Sequence, residues 1–343
     1  MGLERNDGIA IAKAIGIILM VLCHTWFSVP IEKWVLMFHM PLFYFFSGYC
    51  MSWNSLNEGF FIFLKKRIKG LYLPWLKWGL VFLIFHNFFY EIHIYDGVYG
   101  YNGVPSHLYS IKEILGKALR IILIMTENEQ LLGGYWFLRT LLIGSVVGFL
   151  VAKFFKPLYG FVSLLCLTIF FCLINQSIFT IGTKDVFCAF FFYIGYLYNN
   201  SKLKLEKNSF IFLISVLLVT MGAFFWPTAA LSLRVCWKIV PYSISAFAGT
   251  IMVFYIANKI SVKNNLLSKF LVYVGFNTLP ILTWHFLSFK IVSLMIIYIY
   301  DLPIGRLAEY PVIVSYSQKG WFLLYLFVGI FIPLFLSRSK WFR

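Results

Sequence analysis

Charged residues are scarce in this chain. They make up 12% of its 343 residues, about half the share a soluble domain carries. So few charges cannot cover a water-exposed surface, and no stretch stands apart as an independent polar segment. A single membrane domain over residues 1–343 is therefore expected. Paired cysteines are lacking as well: Cys23, Cys50, Cys166, Cys172, Cys188 and Cys236 are scattered, with no C-x-x-C. That pattern argues against a disulfide framework or zinc site and suits small apolar helix residues. No repeat of about 20 to 50 residues exists, which excludes a solenoid. The two halves show no matching interrupted helices, the usual mark of an inverted-repeat transporter. No A-x-A arrangement follows the first apolar run, so it is not read as a cleavable signal peptide.

Apolar length is what the chain has. Hydrophobic residues reach 61% and aromatics 21%, in runs of about 20 residues that match a bilayer's thickness. Ten spans are predicted, at 8–28, 36–53, 71–90, 135–155, 158–175, 184–199, 209–227, 238–258, 271–300 and 320–337. The net charge of +16 is mostly topology. With the N-terminus inside, 17 of 29 basic residues, Arg5 and Arg343 among them, fall on the cytoplasmic side. The other side collects nine, including Arg234, and Lys77, Arg139 and Lys290 lie within spans. This bias obeys the positive-inside rule. The expected fold is an all-α integral membrane bundle of about ten transmembrane helices with both termini cytoplasmic, multi-pass in the inner membrane, and no nucleic-acid partner.

Two connections stand out. Residues 54–70 read as an inner loop ending in KKRIKG, and residues 91–134 as a long outer loop. Within the latter, SIKEILGKALRIILIM has helical spacing suited to the membrane interface.

The segment IAKAIGIILMVLCHTW carries Lys13 and His24 inside an apolar run. Eleven residues make a little over three helical turns and advance about 16 Å, so both lie on one helix face at different depths. Lysine near a helix end can snorkel, whereas an imidazole in the apolar part is a functional candidate by default. FHMPLFYFFSGYCMSW follows, with His39 opening the second span near the level of His24. Ser47 and Gly48 there are small enough to admit another helix or a ligand. Two histidines make a proton-transfer pair or half a metal site; with no third ligand evident on a neighbouring span, no metal is expected.

KAIGIILMVLCHT followed by HMPLFYFFSGY resembles the opening of the membrane-bound acyltransferase 3 family. That family carries Arg or Lys, ten residues, then His, and Lys13 with His24 match. The resemblance continues through FLKKRIKGLYLPW (63–75), GGYWFLRTLL (133–142), FFYIGYLY (191–198) and NTLPILTWHF (277–286). It implies acyl transfer, here most simply acetyl, from acyl-CoA to sugars of surface polysaccharides, with acyl-CoA as donor substrate and no tightly bound cofactor. The acceptor would be a surface polysaccharide or a lipid-linked sugar. Two departures are Ala10, where members often carry Asp, and Gly70, where a second Arg is common; Lys69 stands beside it.

Acyl transfer to a hydroxyl needs a base, a thioester site and donors for the oxyanion. Histidine suits a base at neutral pH, which assigns that part to His24. The resemblance makes Lys13 a donor-recognition residue and Lys66, Arg67 and Lys69 candidates for the CoA phosphates, Arg67 first for its bidentate fork. It also marks His285, inside an apolar span. Trp136 and Arg139 offer a sugar an aromatic platform beside a cation, and Glu91, with Asp96 and His107, lies in the outer loop where an acceptor would arrive. His86 and His93 receive no role. A transporter or channel relaying protons through His24 and His285 is the rival reading.

Overall fold

A computed structural model describes residues 7–51, 56–101, 104–226 and 235–342. Arg5, Arg234 and Arg343, counted above for topology, lie outside the described residues. Among the described residues the structure is mostly helix, with one antiparallel pair of two-residue strands, β1 (Gly100–Tyr101) and β2 (Val104–Pro105). Five helices among the described residues are long and apolar enough to cross a membrane: Trp136–Phe154, Pro157–Ile174, Cys236–Val262, Thr278–Ile299 and Val314–Leu336. Large apolar side chains face outward along many helices, as on Leu213, Leu217 and Phe224.

Two of the ten expected runs are broken, and one expected loop is helical. The basic stretch is not a loop. Helix α4 (Phe60–Arg67) begins directly after Gly59, whose φ is +94°. Lys and Arg are good helix formers, so their charge alone ends no helix. The path continues through a π-helical turn, Ile68–Tyr72, into α5 (Leu73–Ile84). Pro74 has no N–H to offer the carbonyl one turn back, which is where a wider turn is tolerated. Phe85 then separates α5 from α6 (His86–Glu91). The ninth run divides at Asn277 into α13 (Leu266–Phe276) and α14 (Thr278–Ile299). Pro280 falls in the first turn of α14, where N–H groups have no intrahelical partner anyway, so the helix restarts there.

Contacts divide the chain into two units. The first comprises residues 1–16, 30–71 and 140–276. It holds the start of α1 (Asp7–Cys23), then α2 (Val29–Leu36), α3 (His39–Tyr49) and α4, and further on α9 (Pro157–Ile174), α10 (Thr183–Asn199), α11 (Ser209–Phe225), α12 (Ile239–Val262) and α13. Close packing of α3 on α10 depends on glycine. A Cβ on Gly48 would stand 1.7 Å from the Phe192 carbonyl oxygen, and one on Gly195 2.0 Å from that of Phe45. Without a hydrophobic drive between helices in lipid, such small-residue contacts supply the packing. Buried Asp185 caps α10 by accepting from the Gly182 N–H at 2.9 Å and from Thr140 Oγ1 at 2.8 Å.

The second unit comprises residues 17–29, 72–139 and 277–343. It holds α5, α6, α7 (Ile111–Ile124), α14 and α15 (Phe322–Leu336), with α8 (Trp136–Phe154) starting in it. The helix expected in the long loop is α7, opened by a Ser110–Glu113 capping box. It packs on α5, where the Trp75 indole donates to the Ile121 carbonyl at 3.2 Å and the Tyr72 hydroxyl to that of Ile122 at 2.8 Å. Leu115, Leu119 and Leu123 are left exposed. Helices α14 and α15 run side by side, joined by Ser293 and Tyr325 at 2.9 Å.

Candidate active site

Helix α1 ends where the opening motif does. The His24 N–H still bonds the Met20 carbonyl, and the Thr25 and Trp26 amides close a tighter turn. Trp26 has φ +54°, which stops the helix. Ser317 Oγ donates to the Thr25 carbonyl at 2.5 Å and pins this turn. His24 is half-buried; His285, on α14, is wholly buried.

These two histidines meet. His24 Nδ1 lies 3.1 Å from His285 Nε2. The ring planes are 11° apart with centroids at 5.2 Å, so the rings face edge to edge and the N–H points along their common plane. The far nitrogen decides the protons. His285 Nδ1 lies 2.9 Å from the Ile281 carbonyl and 3.1 Å from that of Leu282. Carbonyls only accept, so Nδ1 carries the His285 proton and Nε2 a lone pair. His24 Nδ1 must then donate to it, which leaves His24 Nε2 as the basic nitrogen. The negative end of α1 also favours the imidazolium that a base becomes. Phe286 packs against both rings, with centroids 4.8 and 3.9 Å away.

The GGYW motif packs beside His285. Thr283 Oγ1 donates to the Leu279 carbonyl at 2.9 Å, so the Tyr135 hydroxyl, 2.7 Å from it, is the donor in their bond. Gly134 lets the chain pass α14, since a Cβ there would sit 2.8 Å from Leu282 Cδ1. Trp136 and Arg139 follow at the start of α8, both half-buried. Glu91 is exposed at the end of α6.

In the first unit, one residue of the basic stretch turns inward. Arg67 donates to Ser47 Oγ at 2.9 Å and to the Ser47 carbonyl at 3.4 Å. Its guanidinium lies 4.9 Å from the Phe63 ring centroid and 5.4 Å from that of Phe192. Lys66 is exposed and paired with Glu58 at 2.7 Å, and Lys69 is exposed. Lys13 and Arg67 are both half-buried. His39 is buried, with Nδ1 donating to the Val35 carbonyl at 3.1 Å. Among the described residues no three His, Cys, Asp or Glu side chains gather as a metal site.

The model of the acyltransferase 3 family, described as an acyltransferase domain, matches residues 6–338. The chain belongs to that family. Searches of curated proteins and of solved structures gave no match. With its apolar helices, this acyltransferase is a multi-pass membrane protein. Its two departures have local settings. Ala10 is buried against Gly275, where a Cβ would stand 1.9 Å from the Ala10 carbonyl oxygen, and an Asp there would have to bury a charge. Gly70 borders open space.

Two buried polar groups of the acyltransferase escaped the sequence reading. His86 bridges Glu129 Oε2, 2.6 Å from its Nδ1, and the His107 carbonyl, 3.0 Å from its Nε2. Both side chains are buried, and the Tyr109 ring stacks on the imidazole. Forty-three positions separate the pair, with no motif to link them. Lys290, on α14, donates to the carbonyls of Leu307 and Glu309, each at 2.8 Å. The signal for Lys290 was present, because an ionisable residue inside a span is a candidate by default.

Proposed function

We propose that this acyltransferase moves an acetyl group from acyl-CoA to a hydroxyl of a cell-envelope sugar, with His24 as general base. What supports the reading is the hydrogen bond from His24 Nδ1 to His285 Nε2, because it leaves His24 Nε2 unprotonated on a half-buried ring. His24 Nε2 takes the acceptor's hydroxyl proton while the oxygen attacks the thioester carbonyl. As the tetrahedral adduct collapses, the C–S bond breaks and the imidazolium returns that proton to the CoA sulfur. His285 holds the base and accepts its Nδ1–H throughout; the constraint on its own Nδ1 keeps it from turning.

Arg67 and Lys13 take the phosphates of CoA. Arg67 presents a fork already held by Ser47. Lys66 and Lys69 add field only, since exposed cations are screened. Trp136 and Arg139 are the acceptor's platform, and Glu91 an outer contact. His39, occupied by Val35 on one nitrogen, is the weakest member of the set. The whole chain acts as one transferase domain, with both termini and the basic stretch on the cytoplasmic side of the inner membrane, as the lysine and arginine bias supports.

The test is transfer from labelled acetyl-CoA to glycans by protein in proteoliposomes, beside His24→Ala. Removing a general base costs about 10²–10⁴-fold. An inserted His24→Ala protein that transfers normally would refute the role. Solute flux without transfer would favour the transporter.

A further inference from the structure

Cys172 and Cys236 are far apart in the chain, and the scatter of cysteines in the sequence argued against any pairing. In the first unit these two meet. Cys172 stands in the last turn of α9, and Asn175, with φ +47°, ends that helix. Cys236 opens a short helical turn, Cys236–Lys238, which leads into α12 and packs on α9. The two side chains share a hydrogen bond. Sulfur is the only polar atom of a cysteine side chain, so that bond sets one Sγ against the other. These are the two atoms that a disulfide joins. Cys172 is 2% exposed, and burial as a small apolar residue would account for it alone. It does not account for half-buried Cys236 with its thiol turned onto Cys172.

The compartment decides what such a pair becomes. Lys153 and Lys156 lie just ahead of α9, and Lys259 and Lys263 lie at the far end of α12. Lysines gathered in this way mark cytoplasmic helix ends. Cys172 and Cys236 therefore occupy the outer ends of both helices, beside exposed Trp237, an interfacial kind of residue. Thiols persist in a reducing cytosol and are oxidised outside it.

We infer that Cys172 and Cys236 are joined as a disulfide on the outer side of the membrane, stapling the end of α9 to the start of α12. The inference rests on the proposed sidedness of the chain and not on acyl transfer. The oxidant is another disulfide, that of a thiol oxidoreductase or of oxidised glutathione. The Cys236 thiolate, the more accessible, attacks one donor sulfur and releases the other as a thiol. Cys172 then attacks Cys236 Sγ and expels the second donor sulfur. The donor takes up two electrons and the two thiol protons. The closed loop contains α10 and α11, and a cross-link over so long a stretch restricts the unfolded chain.

Peptide mapping tests the link directly. Membranes from cells making the full chain are denatured in N-ethylmaleimide, and the protein is purified and digested without reductant. The expected result is one linked pair of peptides, carrying Cys172 and Cys236, that reductant separates. In Cys172→Ser, Cys236 should instead carry maleimide. Recovery of both residues of the wild type as thiols or maleimide adducts overturns the proposal. Sidedness is read separately at Phe179, 93% exposed between α9 and α10. Phe179→Cys, placed in the Cys172→Ser, Cys236→Ser background, should react with an impermeant maleimide added to right-side-out vesicles. Unlinked thiols with this site reachable from outside overturn the disulfide alone. Unlinked thiols with the site reachable only after the vesicles are opened overturn the proposed sidedness along with it. Reductant should also lower the Tm of the wild type to that of the double serine variant, which it leaves unmoved. An equal shift in both overturns the staple.

Discussion

His24 and His285 are 261 positions apart in the chain, yet Nδ1 of the first stands 3.1 Å from Nε2 of the second. Because the Ile281 and Leu282 carbonyls hold the other nitrogen of His285, the pair has one direction of donation. His285 is thereby a positioning residue. His285→Phe should lower kcat, leave KM for the donor little changed and move the inflection of the rate–pH profile, since activity requires an unprotonated His24. His285→Gln, which can still offer an acceptor, should recover part of the rate. A Phe variant with wild-type kcat and an unshifted profile would reduce His285 to a packing residue.

Arg67 and Lys66 are adjacent and should behave differently. Arg67→Ala removes a partly buried fork, and charge-assisted hydrogen bonds are worth about 1.5–3 kcal/mol, so KM for acyl-CoA should rise about tenfold or more. The loss should shrink as salt is added to the wild type. Arg67→Lys should restore little, because a point charge cannot reproduce the bidentate contact. Lys66→Ala, exposed and paired only with Glu58, should change KM less than twofold or so. Equal effects of the two substitutions would contradict an inward role for Arg67.

The His86–Glu129 pair should matter for stability. His86→Ala leaves the Glu129 carboxyl buried without its partner, which typically costs about 3–5 kcal/mol. Glu129→Gln keeps a hydrogen-bonding group at the same place and should cost less. Thermal unfolding in detergent, read by tryptophan fluorescence, measures both; a neutral His86→Ala would show that the pair is dispensable.

Acid should fray the start of α7. The hydrogen bond from His107, reinforced by Ser110, pushes the Glu113 carboxyl from the ordinary 4.5 down to about 2. A depressed folded pKa gives stabilisation that is complete above the unfolded value and disappears as pH falls through the folded one. Amide exchange near Ser110 should therefore quicken between about pH 4.5 and 2, and Glu113→Gln should abolish that dependence. Exchange that ignores pH in this window would remove the capping box as the cause.

Much of this protein was legible in its residues. Crossing a bilayer is a local property of length and apolarity, so the long runs at 135–155, 158–175 and 238–258 match helices closely. Lys13, His24 and the GGYW segment were visible as motifs for the same reason: each lies within one short stretch. Gly48 was legible as a point of close approach, though not that α10 would be its partner.

Tertiary structure decided the rest, because satisfying a buried polar group depends on what other segments bring to it. Nothing in TWHF states that His285 faces His24, or that two carbonyls one turn earlier fix its proton. Charge made KKRIK look like a loop, while the backbone there stays helical and turns only Arg67 to Ser47. The break at Asn277 was hidden because hydropathy does not change across it, whereas the backbone does. Composition fixed the medium; distances of about 3 Å between residues far apart in sequence, the scale of a hydrogen bond, fixed which nitrogen can accept a proton.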